Sequence, residues 1–397
     1  MNTPITLLFA VMLGAGLHVN AADIVPLLDA ADNADLTPKQ AKAYAALSNA
    51  PTTQEISVVR IHDGALSANH IELALPSVAA FAAIRAPSND TVLSWSTDQD
   101  VQAEHTVTLY RDGENVTGTV RAGGEVYAIR PIGSGLHALI RLDQTAFPSD
   151  HPPAKDHPKP TKRDDRVPLV PRAANHAANE DAIDMLVAYP TSLRSTLVDP
   201  EGLIRLAEAE TNQGYLNSGV SIRVKVIGIV PTDYSEHNDM NQILENLSDP
   251  ADGFLDELHK MRDTQRADVL MLVVANRTYC GVARAILASI DEAVAVVSQD
   301  CATGYYSFAH ELGHLLGALH DPDADPSITP FPYGHGYRNG EKQVRTIMAY
   351  DCAPSCPRLN LWSGPTVLFD GSPMGNDECC HDARVLDETG PILAAFR

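Results

Sequence analysis

The stretch HELGHLLGALHD, beginning at His310, brings three histidines, a glutamate and two glycines to fixed offsets. On an α-helix residues four apart share a face, so His310 and His314 present two imidazoles to one point. Glu311 lies part of a turn away, placed to reach a metal-bound water without ligating the metal. Gly317 can take a left-handed conformation closed to most residues and end the helix sharply. That turn brings His320 back as a third ligand. Three neutral imidazoles leave a tetrahedral zinc one open position, the arrangement of a catalytic rather than a structural site. A bare His-Glu-x-x-His on a polar helix face decides little. Gly317, His320 and Asp321 are further independent constraints, and together they make accident a poor explanation.

The elements that must carry this site can be read from periodicity. From residue 23 to 147 short apolar runs alternate with turn residues. ISVVRIHDGAL, TVTLYRDGENVTGTVRAGG and EVYAIRPIGSGLHALIRLD predict strands joined by Asp-Gly, Gly-Gly and Gly-Ser-Gly turns. Residues 148–179 are rich in Pro, Lys and Asp without any period, which predicts an exposed linker. Residues 180–397 are mixed. AIDMLVAYP reads as a strand, LIRLAEAETNQGYLNSG as an amphipathic helix and SIRVKVIGIVP as a strand. A helix is expected near Ala251 to Arg262, then ADVLMLVVAN as a buried central strand, GVARAIL and AVAVVSQD as two further strands, and the histidine helix.

The histidine pattern resembles, at every fixed position, the H-E-x-x-H-x-x-G-x-x-H motif of the metzincin clan of zinc endopeptidases. RTIMAYD supplies Met348, 28 residues after His320, where the resemblance implies a methionine turn packed under the ligands. Tyr350 stands where astacin- and serralysin-like members carry a tyrosine that ligates zinc or hydrogen-bonds the oxyanion. Asp321, after the third histidine, is instead a mark of snake-venom-like members. CGVA, SFAHELGHLLGALHD, PYGHGYR, RTIMAYDC and SGPTVLFDGSPMG with ARVLDE are similar to the bacterial peptidyl-Asp metalloendopeptidases, over roughly residues 180–397. The N-terminal unit is similar to that family's propeptide. Leu315, Leu316 and the Cys379-Cys380 doublet depart from the pattern.

That resemblance implies an α+β chain: a metzincin-type catalytic domain with twisted mixed sheet, active-site helix and Met-turn, preceded by a β-rich propeptide domain. It implies one catalytic zinc ion on His310, His314 and His320, with Glu311 as general base and Tyr350 supporting the oxyanion. The substrate would lie extended along an edge strand, for which GVARAIL is the candidate. Cleavage on the amino side of Asp is also implied, and it needs a cation at the P1′ pocket. Between His320 and Met348 stand Arg338, Lys342 and Arg345, with His335 titratable. Arg345 is the first choice and Arg338 the second, because a guanidinium can grip a carboxylate bidentately. The competing reading for each is a solvated or surface-paired arginine.

Residues 1–22 read as a signal peptide, with an apolar core from Ile5 to Leu17 and Val19-Asn20-Ala21 before the cleavage point. The run is short for a membrane span and no other stretch approaches that length. An exported protein is expected. A net charge of −22 argues against a nucleic-acid partner. All six cysteines lie in the C-terminal part, and an even count in an exported chain suggests disulfides. Cys280 with Cys301 is the preferred pair, Cys352 and Cys356 could close a small loop, and Cys379 and Cys380 have no evident place. The N-terminal unit has no cysteine to occupy the metal. Asp150 in FPSDHPP loosely resembles the aspartate switch of astacin-like zymogens, the simpler reading being a linker aspartate with no such role. Asp164, Asp165 or Asp181 would serve as self-processing sites, and Lys162-Arg163 as a site for another protease. The readings to weigh are therefore a zymogen peptidase inhibited by its own propeptide and acting on protein or peptide substrates before Asp, a peptidase of broader specificity, and an inert metzincin-like binding module. The complete ligand set and Glu311 weigh against the last.

Overall fold

The computed structural model describes residues 24–33, 36–62, 64–86, 91–97, 105–151 and 182–397. Residues 1–22, Lys162-Arg163, Asp164, Asp165 and Asp181 lie outside the described residues, as does most of the expected linker.

The N-terminal unit opens with β1 (Ile24–Pro26), β2 (Leu28–Ala30), α1 (Pro38–Ser48), β3 (Thr53–Ile61) and β4 (His70–Leu75). It continues through β5 (Val78–Arg85), β6 (Val92–Ser96), β7 (Thr106–Asp112), β8 (Asn115–Ala122), β9 (Glu125–Gly133) and β10 (Leu136–Leu142). Their sheet runs in the order β1-β4-β5-β6-β7-β8-β9-β10-β3-β2. Turn chemistry fixes the register: between β8 and β9, Gly123 and Gly124 both take positive φ (58° and 79°) and Ala122 pairs with Glu125. Two consecutive left-handed residues give the turn whose twist matches that of the strands it joins.

The C-terminal unit begins with β11 (Ala182–Pro190), α2 (Pro200–Asn217), β12 (Arg223–Thr232), α3 (Met240–Ser248), α4 (Asp256–Gln265) and β13 (Val269–Val274). Then come β14 (Gly281–Ala283), β15 (Val294–Ser298) and the histidine helix α5 (Ser307–Leu316). Beyond it lie β16 (Arg338–Asn339), β17 (Val344–Arg345), β18 (Gly364–Phe369), β19 (Ser372–Met374) and α6 (Asp382–Leu393). The main sheet has the order β12-β11-β13-β15-β14. Its first four strands are parallel and β14 alone runs antiparallel, at the edge. Every residue of β13 is buried, as a central parallel strand covered on both faces must be.

Five elements differ from the sequence reading. GVARAIL is a strand only over Gly281–Ala283, because Leu287 turns to a φ of 61° and donates its N–H to the His314 carbonyl. The chain thus leaves the sheet to cap the C-terminal end of α5. The helix expected near Ala251 begins at Asp256, after a turn at Gly253 (φ 90°), and a separate helix α3 precedes it, capped by Asp239. Helices α1 and α6 were also not foreseen from periodicity, since their burial comes from packing that a single-element pattern does not reveal.

The two units share one core. Val126, Ala128 and Ile140 of β8–β10's neighbourhood pack in the same cluster as Ile183, Val187, Leu203 and Leu312. Arg121 of β8 reaches across to donate to the carbonyls of Gly304 and Arg358 and to the Tyr306 hydroxyl. The start of the expected linker is buried too. Asp150 and His151 are 9% and 6% exposed, which corrects their reading as linker residues on the surface. Among the described residues no helix is long and apolar enough to cross a membrane.

Candidate active site

All ten residues of α5 are buried. The helix ends where Gly317 adopts a φ of 106°, and the chain then returns His320 to the helix face. A cluster forms in which the Nε2 atom of His310 lies 3.3 Å from that of His320, and the His314 Nε2 lies 3.0 Å from it. A fourth imidazole joins them from the start of the expected linker. The His151 Nε2 is 2.8 Å from that of His310 and 3.2 Å from that of His314.

The outer ring nitrogens set how two of these rings, His310 and His314, point. His310 Nδ1 faces the Ile347 carbonyl at 2.9 Å and His314 Nδ1 faces the Ala318 carbonyl at 2.9 Å. Carbonyls only accept, so each Nδ1 carries the proton and each Nε2 turns a lone pair inward. Burial first, then the neighbouring His151 and His314, pushes the His310 pKa far down and keeps its ring neutral. Converging lone pairs repel one another unless a cation sits between them. The four histidines are the group among the described residues able to hold a metal ion, with ligand atoms within 4.8 Å of one another.

Glu311 is fully buried beside the cluster, its Oε1 3.5 Å from His151 Nε2, and neither carboxylate oxygen has a hydrogen-bond partner among the described residues. Burial, and after it the charge of Asp150, raises its pKa well above the carboxylate range. Gly281 makes the room: a Cβ there would meet Glu311 Oε1 at 2.3 Å. Met348 is completely buried under the helix, and a Cβ on Gly313 would come within 2.8 Å of its sulfur. Tyr350 packs its ring 4.3 Å from that of His320, and burial raises its hydroxyl pKa, with Asp150 and Glu311 adding to the shift. Its backbone is held by Asp321, whose Oδ2 accepts from the Tyr350 N–H at 2.9 Å. Arg338 completes that brace, 3.1 Å from Asp321 Oδ1 and donating to the Tyr350 carbonyl. His335 accepts a similar task, its Nδ1 2.7 Å from the His320 carbonyl.

The candidate cations separate in space. Lys342 pairs at the surface with Asp370, and Arg338 is given to Asp321. Arg345 is buried and donates to the carbonyls of Cys356 and Ala349 and to the Tyr305 hydroxyl. Beside it lies a second buried arginine, Arg358, whose Nη2 is 2.8 Å from Asp150 Oδ2; Arg345 Nη1 is 3.6 Å from the same atom. Asp150 therefore sits on arginines and not among the metal-binding atoms, where its neighbour His151 stands instead. Arg358 escaped the sequence reading because it follows Met348, outside the segment searched for cations. His151 escaped because a histidine in a Pro-rich run carries no spacing signal. Its position next to Asp150 was the one available hint.

Three disulfides tie this region: Cys280–Cys301, Cys352–Cys356 and Cys379–Cys380. The first two are the expected pairs, and the doublet that had no evident place closes on itself. Cys280–Cys301 joins the loop before β14 to the loop before α5, and so fixes the sheet edge against the histidine helix.

Residues 179–363 match the family model described as metallo-peptidase family M12. The chain belongs to that family and is a metalloendopeptidase. It is 40% identical over 318 residues to the peptidyl-Asp metalloendopeptidase of Stenotrophomonas maltophilia (strain R551-3), covering 79% of this chain and 75% of the relative. It is 42% identical over 297 residues to the protein of the same name from Xanthomonas campestris pv. campestris, covering 73% of this chain and 69% of the relative. Among solved structures, metalloproteinase-II from Bacteroides fragilis aligns with 70% of this chain and 85% of its own, at 14% identity and a TM-score of 0.37, a distant likeness only.

Proposed function

We propose that this chain is an exported, zinc-dependent endopeptidase, made as a zymogen, that cuts peptides on the amino side of aspartate. The observation that carries the reading is the convergence of four imidazole Nε2 atoms beside a buried glutamate that has no hydrogen-bond partner among the described residues. Their separations of 2.8–3.3 Å approach the edge of a tetrahedron drawn around an ion with zinc–nitrogen bonds, about 3.3–3.4 Å. An all-imidazole donor set suits zinc.

In the active form His310, His314 and His320 would hold the ion and His151 would have left. A bound zinc supplies an acidified water and polarises the scissile carbonyl. The chain's own residues do the rest. Glu311, with both oxygens free of protein donors, takes the water's proton and delivers it to the leaving amine. Tyr350, beside His320, can donate its hydroxyl to the oxyanion, and the Asp321–Arg338 brace holds it in position. Met348 floors the site, in keeping with RTIMAYD as a methionine turn. The N–H groups of Cys280 and Gly281, at the sheet edge, offer hydrogen bonds to an extended peptide.

Latency follows from the intact chain's own segment. Its residues 149–151 lie in this cleft: Cys280 N–H donates to the Ser149 carbonyl at 2.8 Å and Gly281 N–H to the Asp150 carbonyl at 3.3 Å. His151 fills the fourth place around the cluster, where water must bind for hydrolysis. The names of the relatives support the preference for Asp. Purified protein should carry one zinc per chain by elemental analysis and lose peptidase activity to a chelator. A Glu311→Gln chain should keep its zinc and stay full length; normal maturation of that variant, without other proteases, would count against self-processing.

A further inference from the structure

The peptide held in the cleft places a carboxylate on two buried guanidiniums, and the charge balance there is incomplete without it. Arg345 and Arg358 are each 2% exposed and share the ring of Tyr305, at 5.4 and 4.3 Å from its centroid. Besides Asp150, the acidic partner given to them is Asp351, 3.6 Å from Arg345 Nε and itself 43% exposed. Among the described residues, the ion pairs of these two desolvated cations other than Asp150 thus reduce to one partly solvated anion. Remove Asp150, and a buried positive charge is left uncompensated, an arrangement that a folded core avoids but a ligand site uses.

The two arginines have different tasks. Arg345 spends its donors on the carbonyls of Cys356 and Ala349 and on the Tyr305 hydroxyl, so it is locked in place. Arg358 gives Nη1 to the Tyr305 carbonyl and Nη2 to the Ala349 carbonyl and the Asp150 carboxylate, making the nearer contact. Asp150 reaches it from a backbone anchored at Gly281, the same sheet edge whose glycine makes room for Glu311. The carboxylate on the two arginines thus belongs to a residue held next to Glu311.

We infer that Arg358, backed by Arg345, is the subsite that recognises the aspartyl side chain of a peptide substrate, and that Asp150 occupies it in the intact chain as that side chain would. The inference rests on the reading of the chain as a zinc endopeptidase that prefers Asp. It assigns recognition chiefly to Arg358, which lies beyond the methionine, and a supporting role to Arg345. It also makes one segment block the cleft twice, with His151 at the metal cluster and Asp150 in the specificity pocket.

The test compares wild type with the Arg358→Gln, Asp150→Asn double variant, which exchanges the buried ion pair for a neutral pair of similar size. Full-length protein is matured, checked for fold by circular dichroism and for metal content, and given two peptides that differ by Asp or Asn at one position. Loss of a buried charged partner predicts that the Asp-over-Asn rate ratio falls about 30-fold or more. The thermal stabilities of both single variants and the double should also show coupling, the double losing less than the sum. A folded double variant that keeps the wild-type ratio overturns the assignment of Arg358. So does one that cuts neither peptide, because the arginine would then serve catalysis at large, and additive stabilities overturn the role of Asp150. Wild type that cuts both peptides equally overturns the Asp preference instead, and wild type that cuts neither overturns the peptidase reading beneath both.

Discussion

The metal cluster and the arginine pocket lie side by side in one cleft and are occupied by adjacent residues, His151 and Asp150, yet they are built in opposite ways. The cluster is local. His310, His314 and His320 come from one helix and the turn that follows it, so eleven consecutive residues assemble it. The pocket is made at long range, from Tyr305 before the helix and Arg345 and Arg358 well after it, bound together through the carbonyls of Ala349 and Cys356. The cluster needs a cation to offset converging lone pairs, and the pocket needs an anion to offset converging guanidiniums. The chain's own Asp150 answers the second need, while His151 adds a fourth imidazole to the first and leaves the cation still to be supplied by a metal ion. On the reading proposed above, reaction chemistry falls to a compact motif and selectivity to a buried pocket assembled from distant segments.

The sharpest break between the two halves comes from His314→Ala, which should remove bound metal and reduce peptidase activity by more than about 1,000-fold on every peptide, Asp-containing or not. Elemental analysis and a two-peptide assay would check it; an effect confined to Asp peptides would erase the distinction. Next in size is Gly281→Ala. Its Cβ would lie 2.3 Å from Glu311 Oε1, so the base must move, and kcat should drop about 100-fold with metal content unchanged. His151→Ala acts in the other direction. Activity of the intact chain should rise about tenfold as the competent population grows, measured before any processing is visible on a gel. Arg338→Ala loosens Asp321 and the Tyr350 backbone only, and a fall in kcat of about three- to tenfold with KM little altered is expected.

A last prediction concerns the unit that delivers both plugs. His137 is buried, its Nε2 accepts the Val116 N–H at 3.0 Å, and burial lowers its pKa to about 4 from an ordinary 6.5. The unfolded chain therefore takes up a proton near pH 6.5 that the folded chain refuses until about pH 4. Stability is full above pH 6.5 and falls as pH drops toward 4, by an amount of about 2–3 kcal/mol. Urea unfolding across this range should show the loss, and His137→Gln should flatten it. If the N-terminal unit loosens first, His151 and Asp150 should leave the cleft together.

How much could be read without the fold tracks how far apart in the chain the partners lie. β11 was legible to the residue, as AIDMLVAYP, because a buried strand writes its own apolar run. The body of α2 was legible within a few residues of each end, because LIRLAEAETNQGYLNSG repeats its apolar positions every three and four residues. GVARAIL was too long a strand, because Leu287 answers to the carbonyl of His314 and not to its own propensity. Arg345 could be nominated as a P1′-pocket cation from its place before Met348, whereas Arg358 could not: its setting depends on the carbonyls of Tyr305 and Ala349, which no spacing rule connects to it.

What the sequence determined alone is the grouping of His310, His314 and His320, the glutamate beside them and the glycine that ends their helix. Helical periodicity and one left-handed residue suffice to bring those side chains together. Tertiary structure alone decided that Arg358 joins Arg345 on Tyr305, that Gly281 faces Glu311 and that Asp150 and His151 enter the cleft. Those contacts join residues as much as two hundred positions apart, and they exist only once a shared core has paid the entropy of bringing such distant segments together.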